Sequence, residues 1–100
     1  MVSAPKAKKN PVAKPQKKRH TFALDAPDAQ EVFVAGTFNN WNPEGHPLKK
    51  DKKGIWKVAL SLPAGGYEYR FVVNGEWQED PACQERCLNA FGTHNSVLTL

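Results

Sequence analysis

Two of this chain's three tryptophans sit where apolar side chains do not belong. Trp41 stands in the segment GTFNNWNPEG, residues 36–45, among Asn39, Asn40, Asn42, Pro43 and Gly45, which are turn and loop formers. Trp77 stands two residues after Gly75 of the Asn74-Gly75 turn. An indole left in water forgoes the ~1.5–3 kcal/mol that burying a large apolar side chain gives. Exposed aromatic surface therefore tends to mark a binding site. The alternative for each ring is to fold back over the domain edge as an apolar plug. Trp56 is different: it lies inside an apolar alternating run and is expected to be structural.

A flat apolar ring beside amide and hydroxyl groups suits a pyranose, which has a face of C–H groups and a rim of hydroxyls that both donate and accept. Asn39, Asn42, Thr93 and Asn95 can do both, and Arg70 donates several hydrogen bonds from a rigid fork. Each ring–sugar contact would cover about 50–100 Å² of apolar surface, worth roughly 1–2.5 kcal/mol before ordering costs. Two such contacts with a few hydrogen bonds imply micromolar to millimolar affinity for a short oligosaccharide. Bases of single-stranded nucleic acid also stack on aromatics, but that mode wants a positively charged groove.

The elements that must carry these residues are strands. Apolar residues alternate with polar ones in HTFALD (20–25), EVFVAG (31–36), GIWKVALSL (54–62), GYEYRFVVNGEW (66–77) and NSVLTL (95–100). The alternation sets Trp56, Val58 and Leu60 on one face, and Tyr67, Tyr69, Phe71 and Val73 on another, with Glu68, Arg70 and Val72 turned away. Turn chemistry separates the runs at Asp51–Gly54, Pro63–Gly66 and, most strongly, Asn74-Gly75. No segment keeps a helical period. The expected fold is an all-β, immunoglobulin-like sandwich in a single domain at residues 21–100.

The net charge of +4 divides unevenly: residues 1–20 hold seven basic and no acidic side chains, whereas residues 21–100 are net −3. With three prolines and no aromatic, residues 1–20 are expected to form a disordered basic tail. Such an arm either serves as a solubilising linker or touches nucleic acid through its phosphates. Because residues 21–100 are net acidic, nucleic acid is not the expected ligand of the domain. The chain has no run of 18 apolar residues, so no membrane-spanning helix is expected, and no secretory core at its start, which points to the cytoplasm. Cys83 and Cys87 are expected as reduced thiols, with a disulfide as the next possibility. The histidines at 20, 46 and 94 lack the paired spacing of zinc ligands, so no metal or other cofactor is expected.

Catalysis is not expected either. Cutting a glycosidic bond needs two carboxylates across a cleft, about 5–5.5 Å or 6.5–9.5 Å apart. Glu44, Glu68, Glu76, Glu79 and Asp80 are available, but a domain this small offers little cleft, and acids beside turns are ordinarily solvated charges. No nucleophile–base pair or phosphate loop is present.

Three segments in order, VFVAGTFNNWNP, AGGYEYRFVVNGEWQEDP and NAFGTHNSVLTL, resemble the glycogen-binding domain of the AMP-activated protein kinase β subunit. They also resemble the N-terminal early-set domains of isoamylases and branching enzymes, the family-48 carbohydrate-binding modules. The resemblance runs from about Thr21 to Leu100. It implies an early-set sandwich that binds α-1,4-linked glucans such as glycogen, starch-derived maltodextrin or cyclodextrin, here as a stand-alone module. It also implies that Trp41 and Trp77 present their rings to glucose units and that Arg70 binds hydroxyls. Phe91 stands where the kinase domain has a leucine that threads a cyclic glucan, and Thr93 and Asn95 follow it as contacts. Two departures are the planar Phe91 and the 78–90 loop, one residue longer and carrying the cysteines and Arg86. Such modules are usually attached to a catalytic partner, so a second reading is a protein-interaction module that recruits or regulates an enzyme of glycogen metabolism.

Overall fold

Alternating side chains become two antiparallel sheets in the computed structural model, which describes residues 17–100. In chain order the strands are β1 (Lys17–Asp25), β2 (Val32–Gly36), β3 (Lys49–Lys50), β4 (Ile55–Pro63), β5 (Gly66–Val73), β6 (Glu76–Gln78), β7 (Arg86–Leu88) and β8 (His94–Thr99). One 3-10 turn, Thr37–Asn39, follows β2, and no α-helix occurs among the described residues. The smaller sheet has the order β1-β4-β3. The larger has the order β2-β5-β8-β7, and β6 also joins β5. Strand β5 is shared along its length: Gly66–Tyr69 pair with β8, while Phe71–Val73 pair with β6 on the same edge.

Between the sheets lies the core, Phe22 and Leu24 from β1, Val32 and Val34 from β2, Trp56 from β4, and Tyr69, Phe71 and Val73 from β5. Phe22 packs edge-on against Tyr69, with ring centroids 5.0 Å apart, and Tyr69 against Phe71 at 5.8 Å. Trp56 is structural: it is 8% exposed, and its Nε1 donates to the Ala26 carbonyl at 2.8 Å. Tyr69 gives its hydroxyl proton to Asp80 at the core margin. Burial, aided by that carboxylate, holds the phenol far above its ordinary pKa. Tyr67, expected inside with them, is only half-buried and donates its hydroxyl to the Pro63 carbonyl at 2.6 Å.

The Asn74-Gly75 turn is the tight hairpin that its composition demands. Both residues have positive φ, 50° and 85°, and Val73 pairs with Glu76 across them. The Asn74 side chain also accepts from the backbone N–H groups of Gln30 and Glu31, which pins the start of β2.

The structure departs from the alternation in two places. β1 starts at Lys17, four residues before the expected domain boundary at residues 20/21, because Lys17–His20 pair with Pro63–Leu60 of β4 and satisfy their backbone there. The remainder of the expected tail, residues 1–16, lies outside the described residues. Strands β3 and β7 are also additional, two and three residues long, and form by pairing with β4 and β8.

Since Phe71 is fully buried between the sheets, Phe71→Ala is expected to cost about 3–5 kcal/mol. Urea unfolding followed by circular dichroism should show a lower midpoint with an unchanged slope.

Candidate functional site

Pleating of β5 sends Arg70 and Val72 to the face of the large sheet opposite the core. On that face Val72 lies directly opposite Trp77 of β6 and Phe33 of β2. These neighbours explain why Val72 is buried although it points outward. The short hairpin thus lays the indole of Trp77 on the sheet, 41% exposed.

Trp41 reaches the same place through a strained turn. Asn40 and Trp41 both adopt the left-handed conformation, φ 58° and 59°, which costs a non-glycine residue roughly 1–2 kcal/mol. Asn39 over-determines the turn. Its Oδ1 accepts from Gly36 N at 3.0 Å, its Nδ2 donates to the Val34 carbonyl at 3.2 Å and lies 2.8 Å from Nδ1 of His46. Trp41 N then donates to the Gly36 carbonyl at 2.9 Å. The rings of Trp41 and Trp77 end side by side, with centroids 6.4 Å apart and planes inclined by 52°. Neither is an interior plug: Trp41 is half-buried and Trp77 open.

The third wall is the 89–95 loop, organised by a residue that sequence reasoning missed. Asn89 accepts at Oδ1 from the backbone N–H groups of Phe91 and Thr93, at 2.9 and 3.2 Å. Its Nδ2 donates to Thr93 Oγ1 at 2.7 Å and to Asn95 Oδ1 at 3.0 Å. Gly92 closes the turn at φ 82°, where a side chain is disfavoured. Held this way, Phe91 projects 91% exposed. The spacing Asn89-x-x-Gly92 is a turn signal that could have flagged Asn89.

All six residues expected at the site, Trp41, Arg70, Trp77, Phe91, Thr93 and Asn95, line one open groove of about 550 Å³, together with Asn89. Their polar atoms are not equally available. Thr93 Oγ1 accepts hydrogen bonds from Asn89 and, at 3.4 Å, from Arg70 Nη1, which leaves its own O–H available as a donor. Arg70 Nε is buried without a protein partner among the described residues. Asn95 is 7% exposed and engaged on both sides, since its Nδ2 donates to Glu68 Oε1 at 3.0 Å. The Cys87 thiol and then that amide hold the Glu68 carboxyl below its usual range, so it stays ionised at neutral pH. Asn39 and Asn42 turn their amides into their own loop, Asn42 accepting from Glu44 N.

Cys83 and Cys87 are free thiols that lie on different sides of the sheet edge. Cys87 faces Glu68, while Cys83 donates to the carbonyls of Glu85 and Val97. Among the described residues, no three His, Cys, Asp or Glu side chains gather as a metal site.

This sandwich with an aromatic groove is a carbohydrate-binding module type, and the chain belongs to the family described as the glycogen recognition site of AMP-activated protein kinase, which matches residues 20–100. It is 34% identical to the β-2 subunit of human 5'-AMP-activated protein kinase over 83 residues, which are 83% of this chain and 29% of that protein. It is 38% identical to the chloroplastic protein PTST homolog 2 of Arabidopsis thaliana over 72 residues, 72% of this chain and 13% of the relative. It is also 40% identical to the 1,4-alpha-glucan branching enzyme GlgB 2 of Xanthomonas campestris over 52 residues, 52% of this chain and 7% of the enzyme. The chain therefore spans less than a third of each of these relatives.

Removing the organiser of the third wall should loosen it without unfolding the sandwich. In Asn89→Ala the amide protons of Phe91 and Thr93 are expected to exchange about ten-fold faster, the equivalent of roughly one hydrogen bond. Phe71, in the core, should keep its protection in the same hydrogen-exchange experiment.

Proposed function

We propose that the groove binds α-1,4-linked glucan chains, such as glycogen or maltodextrin, without catalysing their cleavage. The observation that carries this reading is the adjacent, inclined pair of indoles at Trp41 and Trp77 in one groove with Arg70 and Thr93. Each ring covers the C–H face of one glucose. The 52° between their planes suits a chain whose successive rings turn, as α-1,4 linkage makes them, better than a flat ribbon. Arg70 and the O–H of Thr93 donate to ring hydroxyls, and exposed Phe91 offers a third apolar surface at the rim. Asn95, its amide held between Asn89 and Glu68, forms the floor and steadies Thr93 through Asn89.

Binding rather than hydrolysis is supported by the lining itself, which among the described residues carries no carboxylate, whereas glycoside cleavage uses two. Glu68, behind Asn95, is occupied as an acceptor. Membership in a glycogen-recognition family supports the same ligand class.

Titration with maltoheptaose should shift tryptophan fluorescence and give a micromolar to millimolar Kd. Trp41→Ala and Trp77→Ala should each weaken binding by about 5- to 70-fold, the equivalent of roughly 1–2.5 kcal/mol of lost apolar contact. An unchanged spectrum, together with no retention on glycogen, would rule the reading out.

A further inference from the structure

Asn39 holds the turn beneath Trp41, and its bonding is complete only when His46 supplies a lone pair. The backbone fixes the roles of the amide. Its Oδ1 accepts from Gly36 N at 3.0 Å, and its Nδ2 donates to the Val34 carbonyl at 3.2 Å. The group 2.8 Å from His46 Nδ1 is therefore the NH2, and Nδ1 is its acceptor. An imidazolium carries hydrogen on both ring nitrogens and accepts nothing. Turning the amide over gives no escape, because Nδ2 would then face the Gly36 N–H and Oδ1 the Val34 carbonyl. A proton on Nδ1 thus sets two donors against each other.

The surroundings of His46 offer such a proton nothing in return. The residue is half-buried, and the next one, Pro47, bridges to Phe33 of β2. Its ring meets Phe38 edge-on, with centroids 5.8 Å apart. Residues 32–40, which supply β2 and the 3-10 turn beside it, carry no titratable or charged side chain. Tyr67 of β5 stands beyond Phe38 and gives its hydroxyl to the Pro63 carbonyl. Along its own segment Glu44, Lys49 and Lys50 are exposed, and among the described residues no carboxylate forms an ion pair with the ring.

The same turn carries the left-handed strain of Asn40 and Trp41, which persists only while its bonds over-determine it. Neither Asn39 nor His46 lines the groove, so both act on it through Trp41. We propose that His46 is a positioning residue for Trp41: its neutral ring, by accepting from Asn39, keeps the indole beside Trp77, and a proton on Nδ1 releases it. Glucan affinity then falls with pH across the range in which histidines charge. That consequence rests on the groove binding glucan; the release of Trp41 does not.

The test uses the full 100-residue chain, labelled with nitrogen-15, at about pH 8 and about pH 5, between which histidine is the side chain that ordinarily changes charge. Without sugar, the Trp41 indole signal is expected to move at the lower pH, while that of Trp56, bonded to the Ala26 carbonyl, stays in place. At the higher pH the His46 ring should show hydrogen on Nε2 and none on Nδ1. Maltoheptaose should bind about five-fold more weakly at the lower pH, the equivalent of roughly 1 kcal/mol, one hydrogen bond. His46→Asn sets a carbonyl oxygen as many bonds from the backbone as Nδ1 and does not titrate, so it should bind equally at both pH values. His20→Gln and His94→Gln should each keep the five-fold difference. Hydrogen on Nδ1 at the higher pH, a Trp41 signal indifferent to pH, or a pH difference that survives in His46→Asn would overturn the proposal. Absence of maltoheptaose binding at both pH values would strike the glucan reading alone, and the Trp41 and His46 signals would still decide this one.

Discussion

Strand β5 can serve the core and the groove together because a pleated strand points successive side chains to opposite faces. Phe71 is sealed between the sheets, and its neighbours Arg70 and Val72 stand on the outer surface beside the indoles. Any slip of one residue in its pairing would put Arg70 into the core and Phe71 into water. The large buried aromatic cluster of Phe22, Tyr69 and Phe71 therefore sets the register, and the register sets the site. The tight turn at Asn74-Gly75 carries that register on to β6 and so places Trp77.

Two asparagines do comparable work at the two ends of the groove. Asn39 ties down the turn that holds Trp41 in a left-handed conformation, and Asn89 ties down the turn that projects Phe91. In both, the amide is consumed inside the loop, so an aromatic ring is presented at a surface that thermal motion would otherwise blur. Strain at Trp41 and its neighbour persists because these bonds over-determine the backbone. The groups left to meet a ligand are fewer than the polar composition suggests: the guanidinium of Arg70, the hydroxyl of Thr93 and the aromatic faces.

The two sheets are chemically unlike. One turns an aromatic, weakly polar groove outward, and the other, with its Asp51–Gly54 turn, carries eight of the ten Lys and Arg side chains of the described residues. Neither surface is needed to close the core, which is filled from the inner faces of both.

Much of this was legible in the residues. Phe22 and Leu24, Trp56 to Leu60, and Tyr69 to Val73 declare strands and inward faces because burial on one side of a pleat imposes a period of two. The Asn74-Gly75 turn declares itself through its φ angles, and Trp41 and Trp77 stand out as apolar rings in polar surroundings. Strands β3 and β7 were not legible, since Lys49-Lys50 and Arg86–Leu88 have no alternation to show and exist only as partners of β4 and β8. The division of the asparagines between loop and ligand was not legible for a similar reason. Composition shows that Asn39, Asn42 and Asn95 can bond a sugar, but only the folded loops show that their amides already have partners. The adjacency of two indoles 36 positions apart, and the sorting of charge onto one sheet, are likewise properties of the tertiary structure. Local chemistry determines which way a side chain faces along its own strand; which distant chain segment lies beside it is decided only when the core closes and the strands pair.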